Sequence, residues 1–222
     1  MDLAADFESS NYEYLSISDA TQNGLDITGS LTLVGCMKPE SLERYQILAA
    51  KYEYGVNNRA YRLDLRPGNR LMFIVSPDGG FSYDYALEAN PAFTLSAGAW
   101  YHAAGVFDAE QRSLAIYLDG DLIASRLVSY GTIYNSSAPF MLGAVLNNSS
   151  ATQHFDGRLD EWRVYSRALT ETEIENLMAT PTPMPADTLT PTPTEAVALM
   201  PTSTDTLTPT PTEEPTPTET AT

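Results

Sequence analysis

Short alternations of apolar and polar residues, punctuated by Gly, Pro, Asn and Asp, run along most of the chain as far as Tyr165. The clearest is AYRLDLR at 60–66, with Tyr61, Leu63 and Leu65 on one face and Arg62, Asp64 and Arg66 on the other. Similar patterns predict strands at 3–8, 12–18, 31–37, 45–52, 71–76, 81–85, 114–118, 122–125 and 140–143. Turn chemistry separates them: Pro67-Gly68-Asn69, Asp78-Gly79-Gly80 and Asp119-Gly120. Asp119-Gly120 lies between two apolar runs and predicts a type I′ hairpin, whose two central residues need positive φ. Strands recurring every eight to twelve residues or so predict an all-β antiparallel sandwich.

The run FDGRLDEWRVYSRALTETEI at 155–174 predicts a Gly-bearing turn, a long strand and a short helix. Leu159, Trp162 and Val164 break strict alternation within that strand. Thr170 to Glu173 reads as a capping box, in which the Thr170 hydroxyl accepts from the Glu173 amide and the Glu173 carboxylate reaches back. Ile174, Leu177 and Met178 then share one helical face.

Residues 180–222 differ in kind. They are built on Thr-Pro pairs, lack Lys and Arg, and contain DTLTPTPTE twice, at 187–195 and 205–213. Proline blocks helix and ladder pairing, and so little apolar area cannot offset ordering entropy. Two units are therefore expected: a folded domain over 1–179 and a disordered, Thr/Pro-rich spacer over 180–222 with polyproline II bias. The spacer reads as a glycosylated stalk or as a linker to a further domain.

The net charge is −17, from 12 Lys and Arg against 29 Asp and Glu. That argues against nucleic acid and anionic membrane as partners, because phosphate binding needs clustered cations. No apolar run approaches the length of a membrane span. Cys36 is the single cysteine, so no internal disulfide framework exists, and its apolar strand context predicts a buried, inert thiol. Met1 to Phe7 lacks the basic start and apolar core of a secretory signal and runs into the first strand, which suggests a piece of a longer precursor.

The closing stretch resembles that of LamG-like domains of the concanavalin A-like lectin/glucanase superfamily, roughly F-D-G-x-I-D-E-x-R-I-Y-x-R-A-L-[ST]-x-x-E-I. Phe155, Asp156, Gly157, Asp160, Glu161, Arg163, Tyr165, Arg167, Ala168, Leu169, Thr170, Glu173 and Ile174 match. The opening FESSNYEYLSISDATQNGLDITGSLTL, the segment LSAGAWYHAAGVFD at 95–108 and the Asp119-Gly120 hairpin resemble the same family. The resemblance covers about residues 5–178 and implies a concanavalin A-like jelly roll of two sheets, closed by a short C-terminal helix. It also implies a structural Ca²⁺ ion joining the opening and closing strands, carried onto Asp160, with Glu8 and Asn11 as further donors. Oxygen ligands from irregular loops suit Ca²⁺. The other reading of Asp160 is pairing with Arg158 or Arg163.

For a sugar platform the candidates are Tyr83 and Tyr85, read as sharing one strand face, with Tyr52, Tyr54, Tyr130 and Tyr134 near turns. The polar loop 144–153 adds Asn147 and Asn148, which, like Asn135, match the N-x-S/T sequon. His102, in a strand beside Trp100, reads as structural. The paired carboxylates of glucanases on this fold, spaced roughly E-x-D-x-x-E, do not occur, and Asp160-Glu161 are adjacent. The expected function is a non-catalytic recognition module for a glycan or surface protein, extracellular or at the cell surface, with further domains beyond the termini. The alternatives are a structural or adhesive decoration domain and, more remotely, a glycosidase.

Overall fold

In the computed structural model, residues 4–89 and 94–178 are described. Along them run β1 (Ala5–Phe7), β2 (Leu15–Ile17), β3 (Leu31–Pro39), β4 (Gln46–Tyr54), β5 (Asn58–Arg66), β6 (Arg70–Val75) and β7 (Ala86–Glu88). Then follow β8 (Tyr101–Asp108), β9 (Ser113–Leu118), β10 (Asp121–Leu127), β11 (Phe140–Leu142), β12 (Val145–Asn147), β13 (Ser150–Thr152), β14 (Gly157–Tyr165) and α1 (Glu171–Met178). The spacer expected over 180–222 lies outside the described residues.

Two sheets form the expected sandwich. One has the order β1-β14-β3-β8-β9-β10; the other runs β13-β12-β4-β5-β6-β7, with β11 joining β4 to β2. Pairing is antiparallel except between β12 and β4, which is parallel. The first and last strands meet, Ala5 opposite Leu159 and Phe7 opposite Gly157. Between the sheets lies the main core, which includes Leu33, Met37, Leu63, Phe73, Phe107, Ile116, Phe155 and Trp162.

The broken alternation in β14 has a local cause. The pairing with β3 shifts between Asp160 and Arg163, and Glu161 takes φ +51°. This β-bulge absorbs one residue, so Leu159, Trp162 and Val164 all face the core. The Trp162 ring lies against Gly35 of β3, where a Cβ would come within 2.5 Å of it. Its indole N–H donates to the Cys36 carbonyl at 3.1 Å.

The expected helix and hairpin are both present. Asp119 and Gly120 take φ +49° and +86° between β9 and β10. At α1, the Thr170 amide donates to Glu173 Oε2 at 2.8 Å and the Glu173 amide donates to Thr170 Oγ1 at 3.3 Å. The helix covers the outer face of the first sheet, where Ile174 and Leu169 pack on Val34, Ala104 and Val106. That leaves the outer face of the second sheet without a helical layer among the described residues.

Two sequence expectations change. The segment 81–85 is not a strand: Tyr83–Tyr85 form a 3-10 turn, capped by Ser82 Oγ accepting from the Asp84 amide. Arg126 reinforces the turn by donating to the carbonyls of Tyr83, Asp84 and Ala86, which favours curled backbone over ladder pairing. The polar stretch 144–153 is not an open loop but the β12–β13 hairpin, turning at Asn148 and Ser149 with φ +46° and +66°.

Candidate functional site

Two register shifts between β4 and β5 decide which side chains reach the outer face of the second sheet. In β4 the pairing with β5 shifts between Ile47 and Ala49, placing Leu48 and Ala49 inward and Ile47 and Ala50 outward. A second shift, between Lys51 and Tyr52, leaves Ala60 of β5 as the extra residue. Ala60 and Tyr61 both turn into the core, so Arg59 and Arg62, three positions apart, emerge together beside Tyr52.

The outer face holds its own buried cluster of Ile47, Ala50, Tyr52, Met72, Ile74, Ala86 and Val145, flanked by Tyr54 and Tyr85. Arg62 and Asp64 are set among them, 2% and 1% exposed. Arg62 Nη2 stands 3.2 Å from Asp64 Oδ2, and Arg66 Nε donates to the same oxygen at 3.4 Å. The Arg62 guanidinium lies 4.8 Å from the Tyr52 ring centre and 4.9 Å from that of Tyr54. Arg59 approaches Tyr52 at 5.7 Å, and Arg66 approaches Tyr45 at 5.3 Å. Burial pushes the Asp64 carboxyl up from its ordinary value, against the pull of Arg62 and Arg66.

Above this floor opens a pocket of about 270 Å³, walled by these arginines and tyrosines with Phe81 and Gln153. Tyr54 donates its hydroxyl to Gln153 Oε1 at 3.1 Å, which ties the end of β4 to the segment after β13. Tyr45 and Phe81 stand at the rim, each nearly half exposed. Several buried polar atoms have no hydrogen-bond partner among the protein's groups: Tyr52 Oη, Arg59 Nε, Arg62 Nε and Nη1, and Asp64 Oδ1. Buried groups of this kind are rare in native folds, and five of the eight such atoms among the described residues lie at this one place. Aromatic faces beside planar donors can stack a sugar ring and hydrogen-bond its hydroxyls.

Tyr52 and Tyr54, read as platform candidates, line this pocket. Tyr83 is highly exposed and meets Phe81 edge-on at 5.3 Å, so it extends the rim. Tyr85 does not share its face, because the 3-10 turn separates them; its hydroxyl donates to Asp78 Oδ2 at 2.9 Å and its ring meets Tyr130 edge-on. Tyr130 stacks on Phe107 and belongs to the packing. Asn147 pairs with Tyr54, and the Asn148 side chain occupies the space a Cβ on Gly55 would need, so both lie at the hairpin flanking the pocket. Sequence reasoning missed Tyr45, Arg59, Arg62, Arg66, Phe81 and Gln153 as site residues. The polar face of β5 was the available signal for Arg62 and Arg66.

The expected calcium donors are not brought together. Glu8 follows the end of β1 where Phe7 faces Gly157, beside Asp156; Asp160 lies beyond the opposite end, past Leu159. Asp160 Oδ1 accepts from the Glu161 amide at 2.8 Å, within the bulge. Asn11 Nδ2 donates to Glu13, whose carboxylate also accepts the Glu8 amide. Partial desolvation, then the carboxylates of Glu40, Asp156, Asp6 and Glu13, push Glu8 upward. Among the described residues no group of three or more His, Cys, Asp or Glu stands so as to hold a metal ion. A single ion shared by Asp160, Glu8 and Asn11 therefore does not fit this geometry. Cys36 is half-buried, and burial followed by Glu161 and Asp160 pushes its thiol up to about 11, which suppresses the nucleophilic thiolate. His102 is buried, and burial lowers its pKa.

A two-sheet sandwich with a pocket on one uncovered face is the build of a lectin-type domain. The chain belongs to the concanavalin A-like lectin/glucanase superfamily, whose Laminin G model matches residues 9–175. No curated protein matches it in sequence. Among solved structures it is similar to the CBM40 module of the Ruminococcus gnavus IT-sialidase, bound to alpha2,3 sialyllactose. The identity is 18%, the TM-score 0.63, and the match covers 79% of this chain and 96% of that one. A putative carbohydrate binding protein from Bacteroides ovatus aligns at 18% identity and TM-score 0.60, over 78% of this chain and 45% of that chain. NanB sialidase from Streptococcus pneumoniae aligns at 17% and 0.62, over 78% and 27%. At these identities the likeness concerns the fold.

Proposed function

We propose that the domain is a non-catalytic carbohydrate-binding module, with its site in the pocket of Tyr45, Tyr52, Tyr54 and Phe81 on the uncovered face of the second sheet. The observation that carries this reading is the pocket itself: aromatic faces at the rim, guanidinium groups at the wall, and a volume suited to about one sugar ring. The lectin-type family and the glycan-binding modules of similar fold support it. Binding rather than hydrolysis is favoured by the carboxylates of this face. Asp64 is buried between Arg62 and Arg66, and Glu88 is held by Arg66 and by Arg70 at 2.7 Å. Most glycosidases need two carboxylates open to substrate.

Such a module works outside or on the surface of a cell, displayed by a longer protein, with the Thr/Pro-rich segment as its spacer. The test is a glycan array on the full chain, repeated with Tyr54→Ala and Phe81→Ala. Saturable binding that both substitutions abolish supports the reading. Array binding untouched by either moves the ligand to another surface, and a structural or adhesive role follows if no glycan binds.

A further inference from the structure

The charges around the pocket are distributed against the trend of the chain. The protein carries −17 overall, yet the pocket lining includes three arginines and no Asp or Glu. Asp64, the nearest buried carboxylate, sits behind Arg62 and Arg66 and is committed to both. Arg62 is held by ring contacts on two sides, with Nε and Nη1 unpartnered. Desolvating a guanidinium with N–H groups unpaired is costly, so its retention calls for a return in function.

Arg59 and Arg66 stand at the wall, each partly exposed. Arg59 donates through Nη1 to Asn57 Oδ1 and the Gly79 carbonyl, while Arg66 donates through Nε and Nη1 to Asp64 and Glu88. Neither Nη2 is used in these bonds. Asp64 and Glu88 offset Arg62 and Arg66, so a neutral sugar would leave the pairing of this wall incomplete at Arg59, which has no carboxylate partner among the described residues. An acidic sugar would complete it, because a planar carboxylate matches the guanidinium fork and a charge-assisted bond is about twice as strong as a neutral one.

We propose that the pocket selects an acidic saccharide, with the carboxylate of one sugar unit held at Arg59 and Arg66, over the buried charge of Arg62, and the ring against Tyr54 and Phe81. The proposal rests on the carbohydrate-binding reading and deepens it by naming the ligand class. Three arginines against the two carboxylates of Asp64 and Glu88 make the pocket less hostile to an anion than the acidic chain as a whole.

The experiment uses the full chain and matched probes in calorimetry. These are a uronic-acid oligosaccharide and sialyllactose, each beside its carboxyl-reduced form, with a sulfated neutral oligosaccharide as a further arm. The expected result is at least about tenfold tighter binding of one carboxylated probe over its reduced form. That preference shrinks as salt rises, and falls about tenfold in Arg59→Gln and Arg66→Gln variants that keep wild-type circular dichroism and Tm. Equal affinity for acid and reduced forms overturns the acidic inference and leaves the carbohydrate reading intact. Preference for the sulfated probe alone overturns the carboxylate assignment. Failure of every saccharide to bind the folded chain overturns both readings.

Discussion

The guanidinium of Arg62 lies 4.8 Å from the centre of the Tyr52 ring, and both side chains are almost fully buried on a face that no helix covers among the described residues. Sheltered this way, Arg62 and Asp64 form an ion pair whose desolvation is already committed. Removing one partner strands the other. Arg62→Ala is expected to destabilise the domain by about 3–5 kcal/mol, whereas Arg62→Met paired with Asp64→Leu costs far less. Urea denaturation of the two variants gives the comparison. Equal losses in both would show that packing volume, not charge, is what matters at this site.

Tyr52 provides a finer probe. Its hydroxyl is buried without a protein partner. Tyr52→Phe removes the orphan and keeps the ring over Arg62, so stability should hold or rise by up to about 1 kcal/mol. Tyr52→Ala should lose about 3–5 kcal/mol through the cavity it leaves. A Tm that drops sharply for Tyr52→Phe would mean that the hydroxyl has a partner in solution.

Trp162 sets a steric condition on β3. A Cβ at Gly35 would meet ring carbons of Trp162 at 2.5–2.7 Å, and β3 is held on both sides by β14 and β8. Gly35→Ala is expected to cost at least about 1–3 kcal/mol, as overpacking does. Combining it with Trp162→Leu should recover part of the loss, and strictly additive losses in the double variant would exclude the contact as the cause.

Two ionisable groups predict losses of stability on acidification, in successive pH windows. His102 has its pKa lowered by burial, so the fold holds it neutral while the unfolded chain takes up a proton near 6.5. Stability is present in full above 6.5 and is lost as pH falls through the window below it. Melting curves between pH 7 and 5 should show this loss, and His102→Phe should flatten it. Glu173 has its pKa lowered first by the Thr170 amide, so its contribution is full above 4.5 and disappears as pH falls through its lower folded value. Thr170→Ala should cost about 1 kcal/mol at neutral pH. An acid limb with the same slope in wild type and Glu173→Gln would sink the capping account.

Calcium is a question for the opening loop. With Asp160 and Glu8 at opposite ends of β1, melting curves in millimolar Ca²⁺ and in EDTA are expected to coincide. A rise in Tm with Ca²⁺, reversed by EDTA and lost in Asp156→Asn, would put an ion beside Glu8 instead.

Much of the sandwich was legible in the order of residues. Alternation fixed the inward set Tyr61, Leu63 and Leu65, the Asp119-Gly120 pair announced its hairpin, and the T-E-T-E run specified the cap of α1. These depend on local rules, in which each residue's neighbours along the chain decide its conformation. The site was not legible in the same way. Arg59 and Arg62 reach one face only because the pairing of β4 with β5 slips by a residue at Ala60, and Tyr83 and Tyr85 part company because Arg126, about forty residues on, holds the carbonyls of Tyr83, Asp84 and Ala86 in a turn. Register shifts and contacts between distant segments are decided when the sheets assemble, since the energy that selects them comes from burial across strands rather than from any single stretch.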